Sequence, residues 1–395
     1  MHGDYRKRRL GRRQDYFLRP APPTARAAAT LLILLFPILA CTPDGRPSRV
    51  AKYVASRDVM STVASITLVA DTPEEAGRAM DAAFAALDSV EAWMSAYRSE
   101  GDLARVNAMA ARRPVPVGKE TFDVLRAAER FTALTGGAFD VTVGPLIVIW
   151  RDGASSQRLP HETELRAVRG RVGMSLVSLD AATQSVTFAR SGVRIDLGGI
   201  AKGYAIDQAV DAARAAGVEA GLIEVGGDLR CFGRIPRALV GLTADRMEGD
   251  LWRSPDTVFE DLQPWPLGIQ DPFEEDLLGK IRIPEGAVAT SGHYRRFSLI
   301  EGHRISHILD PRSGWPVTDP ASVTVIAPDA LTADALATAL SVLGAEKGLA
   351  LADSLPGVEA LIVGGDAAAP RRAASAGFPP LEPLGAANAQ NREGS

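Results

Sequence analysis

The sequence predicts an α+β protein in which mixed antiparallel sheets pack against helices, and three observations carry that expectation. Residues 61–69 and 322–327 are β-branched and alternate in hydrophobicity, as strands do. Ala76, Met80, Ala83, Phe84, Leu87 and Val90 recur at helical spacing, and so do Leu336, Leu340 and Leu343. Residues 222–230 and 294–309 read as hairpins turning at Gly226-Gly227 and Glu301-Gly302.

Taken in order, the first helix starts at Thr72-Pro73-Glu74-Glu75. Thr72 caps it, Pro73 takes the first helical position, where no N–H is needed, and Glu75 closes a capping box. A second helix spans 120–134, turns Phe122, Leu125, Ala128 and Phe131 inward, and ends before Gly136-Gly137. Residues 153–161 read as a loop, 162–170 as a short helix, and 172–188 as two short strands about a turn at 180–184. Next comes 194–207, an apolar strand that runs through paired glycines into an alanine-rich helix. Residues 234–266 are rich in proline and charge and weakly periodic, which predicts an insertion with little regular structure. Short strands follow at 267–270, 281–283 and 288–291, and Asp310 to Gly314 is a turn by composition. A helix over 332–343 stops at Gly344, and the Ala/Pro-rich tail 367–395 is expected to be disordered or weakly attached.

With 395 residues, 46% apolar and 23% charged, the chain has globular proportions and enough length for a sizeable core. Residues 1–40 read as an export signal. A basic region from Arg6 to Arg13 precedes an apolar stretch, 27–40, that is shorter than the roughly 20 residues of a spanning helix. Ile38-Leu39-Ala40-Cys41 resembles a lipobox, which predicts an exported lipoprotein facing the periplasm, anchored to the membrane by lipid on Cys41, with 41–58 as its tether. A soluble periplasmic product is the alternative, and Arg12-Arg13 faintly resembles a twin-arginine signal. Residues ahead of Cys41 carry eight Lys/Arg and two Asp/Glu; taking that +6 from the overall −4 leaves about −10, which argues against nucleic-acid binding. With Cys41 lipidated only Cys231 remains, so neither an internal disulfide nor a Cys-rich zinc site is expected.

Four places could carry chemistry. In 194–207, Gly198 and Gly199 allow close backbone approach, a helix N-terminus follows, and Lys202 adds a cation, all of which suit a phosphate. The spacing fits neither the P-loop nor the dinucleotide fingerprint, and an ordinary strand-to-helix turn explains it equally well. Asp140 interrupts the apolar run 136–146, so it either caps a turn or faces a ligand. Asp334 and Thr338, at i and i+4, place a carboxylate and a hydroxyl on one helix face. That pair suits a hard cation, or else stabilises the helix N-terminus and bonds a carbonyl one turn back. His307 beside a strand end is a structural histidine or a base.

Six segments, in order, resemble the ApbE-like FAD:protein FMN transferase family over about residues 60–365. They are Met94 to Tyr97 with Asn107, Gly137 to Leu146, Asp196 to Tyr204, Val225 to Asp228, Thr290-Ser291-Gly292 through His307 to Gly314, and Ala333 to Ala339. The resemblance implies a T-fold-related domain over 59–366 with a flavin site between two lobes. It implies Mg²⁺-dependent transfer of FMN from FAD to a Thr or Ser hydroxyl of an exported redox or electron-transfer protein. It implies FAD contacts at Met60, Tyr97, Ala138, Phe139, Asp140, Asp196, Lys202 and the backbone around Leu309. It further implies metal ligation by the Gly199 carbonyl, Asp334 and Thr338 near the Ala337 backbone, with His307 as the base and Ser291-Gly292 beside it. The segment after Trp150 and the longer link 234–266 depart from the family pattern, away from these motifs. A Mg²⁺-dependent FAD hydrolase and a non-enzymatic flavin-binding lipoprotein are the alternatives.

Overall fold

The computed structural model describes residues 49–383 except Tyr97, Thr243, Asp245, Gly249, residues 293–296 and the Glu248 side chain. The expected signal peptide, lipidated Cys41 and the Tyr97 contact lie outside the described residues.

Numbered along the chain, the strands used below are β1 (Arg49–Val59), β2 (Thr62–Ala70), β3 (Ala220–Val225), β4 (Asp228–Phe232), β5 (Arg246–Glu248), β6 (Leu251–Arg253), β7 (Thr257–Val258), β8 (Gly286–Gly292), β9 (Phe297–Ile300), β10 (His303–Ser306), β11 (Ser322–Ala327), β12 (Glu359–Asp366) and β13 (Ala369–Ala374). Eleven of them form one sheet in the order β13-β12-β11-β8-β4-β3-β2-β1-β6-β5, with β7 against the start of β1. Every pairing in that sheet is antiparallel, and β9 and β10 pair with each other. The helices are α1 (Pro73–Met94), α2 (Asp102–Met109), α3 (Lys119–Leu134), α4 (Gly144–Ser156), α5 (Glu162–Arg169), α6 (Ala201–Ala215) and α7 (Ala330–Asp353).

Alternation along each strand sorts side chains onto two cores. Ala64, Ile66 and Leu68 of β2 and Ala360 and Ile362 of β12 meet Leu87, Ile206 and Leu336 from α1, α6 and α7. Their neighbours Val69, Leu361 and Val363 face the other way, onto Ile269 and Ile281 of the hairpin Trp265–Gln270 and Leu277–Ile283. A third cluster, Leu146, Trp150, Leu165, Ile300 and Leu309, lies beneath α4, α5 and the β9–β10 hairpin. The expected α+β class is what the chain adopts.

Local signals hold where they are strongest. Thr72 Oγ1 accepts from Glu75 N–H at 3.2 Å, while Glu75 Oε2 reaches back to the Asp71 N–H. Gly226 and Gly227, with φ of 62° and 96°, supply the two left-handed residues of the β3–β4 turn.

Packing overrides composition elsewhere. The described part of the segment assigned to a tether, residues 49–58, lies in β1, which pairs with β2 from Ala51 to Val59, and Tyr53 within it is fully buried. Residues 153–156 continue α4 instead of forming a loop, and Gly153 within it packs so closely that a Cβ there would lie 2.8 Å from the Arg158 carbonyl. Residues 194–197 are extended without joining a strand ladder; the Asn107 amide takes the neighbour's place, bonding both Ile195 N–H and Ile195 C=O. The supposedly irregular insertion supplies β5, β6 and β7. Gly344, at φ 75°, breaks helical geometry where the sequence predicts a stop, and a second helical segment runs on from it to Asp353. The described part of the tail, 367–383, is attached: β13 pairs with β12, and Glu382 exchanges backbone hydrogen bonds with Lys280; residues 384–395 lie outside the described residues.

Cys231 is buried in the second core, and burial foremost pushes its thiol up to about 12. Thiol reagents act on thiolate. The native described domain should therefore resist a thiol reagent at pH 8 and label at this position only in denaturant; fast native labelling of Cys231 would contradict the packing.

Candidate active site

A cavity of about 790 Å³ opens where the helical and sheet layers meet. That volume lies within the roughly 300–1,000 Å³ typical of ligand sites. Its wall is drawn from loop 138–143, the 196–202 turn, the β3–β4 hairpin, the end of β8, residues 307–311 and α7.

One part-buried cation organises the wall. The Lys202 ammonium, in the first turn of α6, donates to Asp228 Oδ2 of β4 and, at 3.2 Å, to Asp334 Oδ1 of α7. Both carboxylates are almost wholly buried. Burial alone would lower the lysine, but the two carboxylates outweigh it and raise its pKa. Burial raises Asp334, Lys202 pulls it down, and repulsion from Asp228 adds to the rise. The remaining oxygens are also used: Gly203 N–H donates to Asp334 Oδ2 at 3.0 Å, and Thr290 N–H to Asp228 Oδ1 at 3.1 Å. Two carboxylates against one ammonium leave a net negative charge beside the cavity. Glu224 of β3 also lines it, its carboxyl raised foremost by burial.

The profile of the ApbE family matches residues 60–362. This chain belongs to the ApbE family. A Treponema pallidum protein named FAD:protein FMN transferase is 32% identical over 329 residues, covering 81% of this chain and 86% of that one. A Vibrio cholerae protein of the same name is 34% identical over 273 residues, covering 68% and 74%. The solved Pseudomonas stutzeri flavinyl transferase ApbE, in its apo form, superposes with a TM-score of 0.69 at 29% identity, covering 85% of this chain and 98% of that one.

Most of the residues picked from the sequence gather on the ApbE cavity: Ala138, Phe139, Asp140, Asp196, Gly199, Lys202, His307, Leu309, Asp334 and Thr338 all line it, as do Ser291 and Gly292. Met60 does not; it occupies the β1–β2 turn at φ 51°, its N–H bonded to Glu91. Asp140 lines the cavity yet spends its oxygens on the protein, accepting from Thr142 N–H, Thr142 Oγ1 and Met174 N–H. That is the turn-capping role, and it fixes the loop that carries Phe139. Asp196 likewise accepts from Gly198 N–H at 2.9 Å, shaping the glycine turn. His307 is exposed and directly follows β10. Asp228 has no role assigned from the sequence beyond its place in the Val225 to Asp228 segment; its signal there is an acid directly after a Gly-Gly turn.

The donor set fits a hard divalent cation. A Cβ at Gly199 would lie 3.1 Å from Thr338 Oγ1, so the backbone bearing the expected carbonyl ligand abuts the expected hydroxyl ligand. Ser291 Oγ is 3.4 Å from the same hydroxyl. All candidate donors are oxygens, as Mg²⁺ prefers, and a single carboxylate leaves room for phosphate. Among the described residues there is no cluster of three or more His, Cys, Asp or Glu suited to a metal.

Removing one partner of a buried ionic cluster strands the others, typically at about 3 kcal/mol or more. Lys202→Met should cost that order of stability in urea unfolding with chelator present. The lysine pKa is raised on folding, so the deficit should be full below pH ~10.4 and shrink as pH rises through the raised value. Unchanged stability, or a deficit that grows with pH, would contradict the cluster.

Proposed function

We propose that the chain transfers FMN from FAD to a Thr or Ser hydroxyl of an exported acceptor protein and releases AMP, with Mg²⁺ bound at Gly199, Asp334 and Thr338. The observation that carries this reading is the hard-oxygen donor set and the Lys202 cluster on one cavity wall, in a chain whose relatives are named FAD:protein FMN transferase.

Bound there, the ion would offset charge on the FAD pyrophosphate. The chain's own residues do the positioning. Loop 138–143, held by Asp140, and the 196–202 turn bring backbone close to the ligand. Lys202 keeps Asp334 ionised and in place, and adds positive potential at the phosphates. The acceptor oxygen attacks the FMN phosphorus, the bond from that phosphorus to the AMP oxygen breaks, and the hydroxyl proton passes to a His307 ring nitrogen. Exposure of His307 at the cavity rim suits a base that must meet a protein hydroxyl arriving from solvent. Flavin transfer of this kind depends mostly on alignment and electrostatics.

Export rests on the basic and apolar pattern of residues 1–40 and the lipobox-like 38–41. With β1 starting at Arg49, only residues 42–48 would separate the lipidated Cys41 from the sheet. That holds the site near the membrane where exported redox proteins work.

The test is to incubate the protein with FAD, Mg²⁺ and an acceptor carrying an Asp-x-x-Thr sequence. Covalent flavin on the acceptor with matching AMP is expected; AMP without covalent flavin would replace this reading by FAD hydrolysis. Asp334→Ala should abolish Mg²⁺-dependent turnover, and His307→Ala should lower transfer by about 10²-fold or more. Unchanged metal dependence in the first variant would reject the assigned metal site.

A further inference from the structure

The β9–β10 hairpin leaves the cavity wall and returns to it. Ser291 and Gly292, at the end of β8, line the cavity, and so do His307 and Leu309, which follow β10. Its two faces differ. Ile300 and Ile305 turn inward onto the cluster of Leu146, Trp150 and Leu309. Phe297 and Leu299, two residues apart and so on one face, are 42% and 56% exposed. Arg304, across from Leu299, lays its guanidinium over the Phe297 ring at 3.8 Å from the centroid, which holds the ring upright on the outer face. Trp315, 42% exposed, stands edge-on to Trp150 with centroids 5.4 Å apart. Three of the nine exposed large hydrophobics among the described residues therefore rise from one floor. Such a gathering marks an interaction surface more often than chance.

Its position selects the partner. Phe297 pairs with Ser306, the residue directly before His307, and His307 lines the cavity, so this end of the outer face adjoins the cavity rim beside His307. FAD, held within the cavity, has no use for apolar groups outside it. A protein hydroxyl delivered to His307 necessarily brings its flanking chain across that rim.

We infer that the outer face of the β9–β10 hairpin, with Trp315, docks the acceptor protein by receiving apolar residues that flank its target Thr or Ser. The inference rests on the transferase reading above. Binding through such side chains raises the local concentration of the hydroxyl without touching the reacting atoms, so it acts on the acceptor KM and leaves FAD binding alone.

The test uses two synthetic peptides with the same Asp-x-x-Thr core, one extended with leucine and valine, the other with serine at those positions. FMN incorporation is read by mass spectrometry and AMP by chromatography. The wild-type protein should favour the apolar peptide about tenfold in kcat/KM, through KM. Phe297→Ser combined with Leu299→Ser should erase that preference while the thermal midpoint and FAD binding, read by flavin fluorescence, stay unchanged. Leu299→Met should retain it. A preference that survives the double substitution, or none in the wild type, overturns the inference. So does loss of binding to phosphatidylglycerol vesicles with the peptide preference intact, which would make the face a lipid contact. FMN on neither peptide would instead reject the transferase reading, and the docking role with it.

Discussion

Helix α6, helix α7 and strand β4 are tied at two points by buried charge, and the site hangs from those ties. At the cavity, Lys202 of α6 is shared by Asp228 of β4 and Asp334 of α7. One helical turn and a residue further on, Asp207 of α6 accepts from Ala330 and Leu331 N–H at the start of α7 and from Arg230 of β4. Burial raises the Asp207 pKa foremost, and those three donors work against the rise. Between the two ties, Gly203 lets the helices meet: a Cβ there would fall 2.1 Å from the Ala330 carbonyl. Charge therefore specifies which faces of α6 and α7 meet, and the apolar core fills around that choice.

The cavity sets this charged cluster against apolar groups such as Phe139, Val141 and Leu309, an arrangement suited to a ligand that is charged in one part and apolar in another. Buried carboxylates are costly unless paired, and Lys202 pairs two of them while leaving net negative charge for a further cation. The glycine turn at 198–199 and the loop at 138–143 then present backbone, which needs no side-chain ordering to bind. The hairpin that carries the exposed Phe297 and Leu299 leads directly into His307, so the proposed docking face and the proposed base share one short stretch of chain.

Sequence alone reached the parts of this picture written in local rules. The Thr72 cap, the Gly226-Gly227 turn, the α7 pair Asp334 and Thr338, and the order of the six segments are short-range features, and each stands where expected. What escaped depended on distant partners. β1 looked like a polar tether because its pairing with β2 and β6 is a tertiary fact. Segments 194–197 and 369–374 depart from expectation in opposite directions: Asn107 replaces a strand neighbour in the first, which is no strand, and β12 supplies one in the second. Asp228 had no role in the sequence because only the fold brings its carboxylate to Lys202.

The central claim is that Asp334, Thr338 and Gly199, kept in register by Lys202, form a metal-assisted phosphate site. It is tested most directly by titrating FAD calorimetrically into the wild-type protein and Thr338→Val, with Mg²⁺ and with chelator. The account predicts that Mg²⁺ tightens FAD binding to the wild type by about tenfold, roughly 1.4 kcal/mol, and that most of this gain disappears in the variant. Equal wild-type affinity with and without Mg²⁺, or an undiminished gain in Thr338→Val, would contradict it.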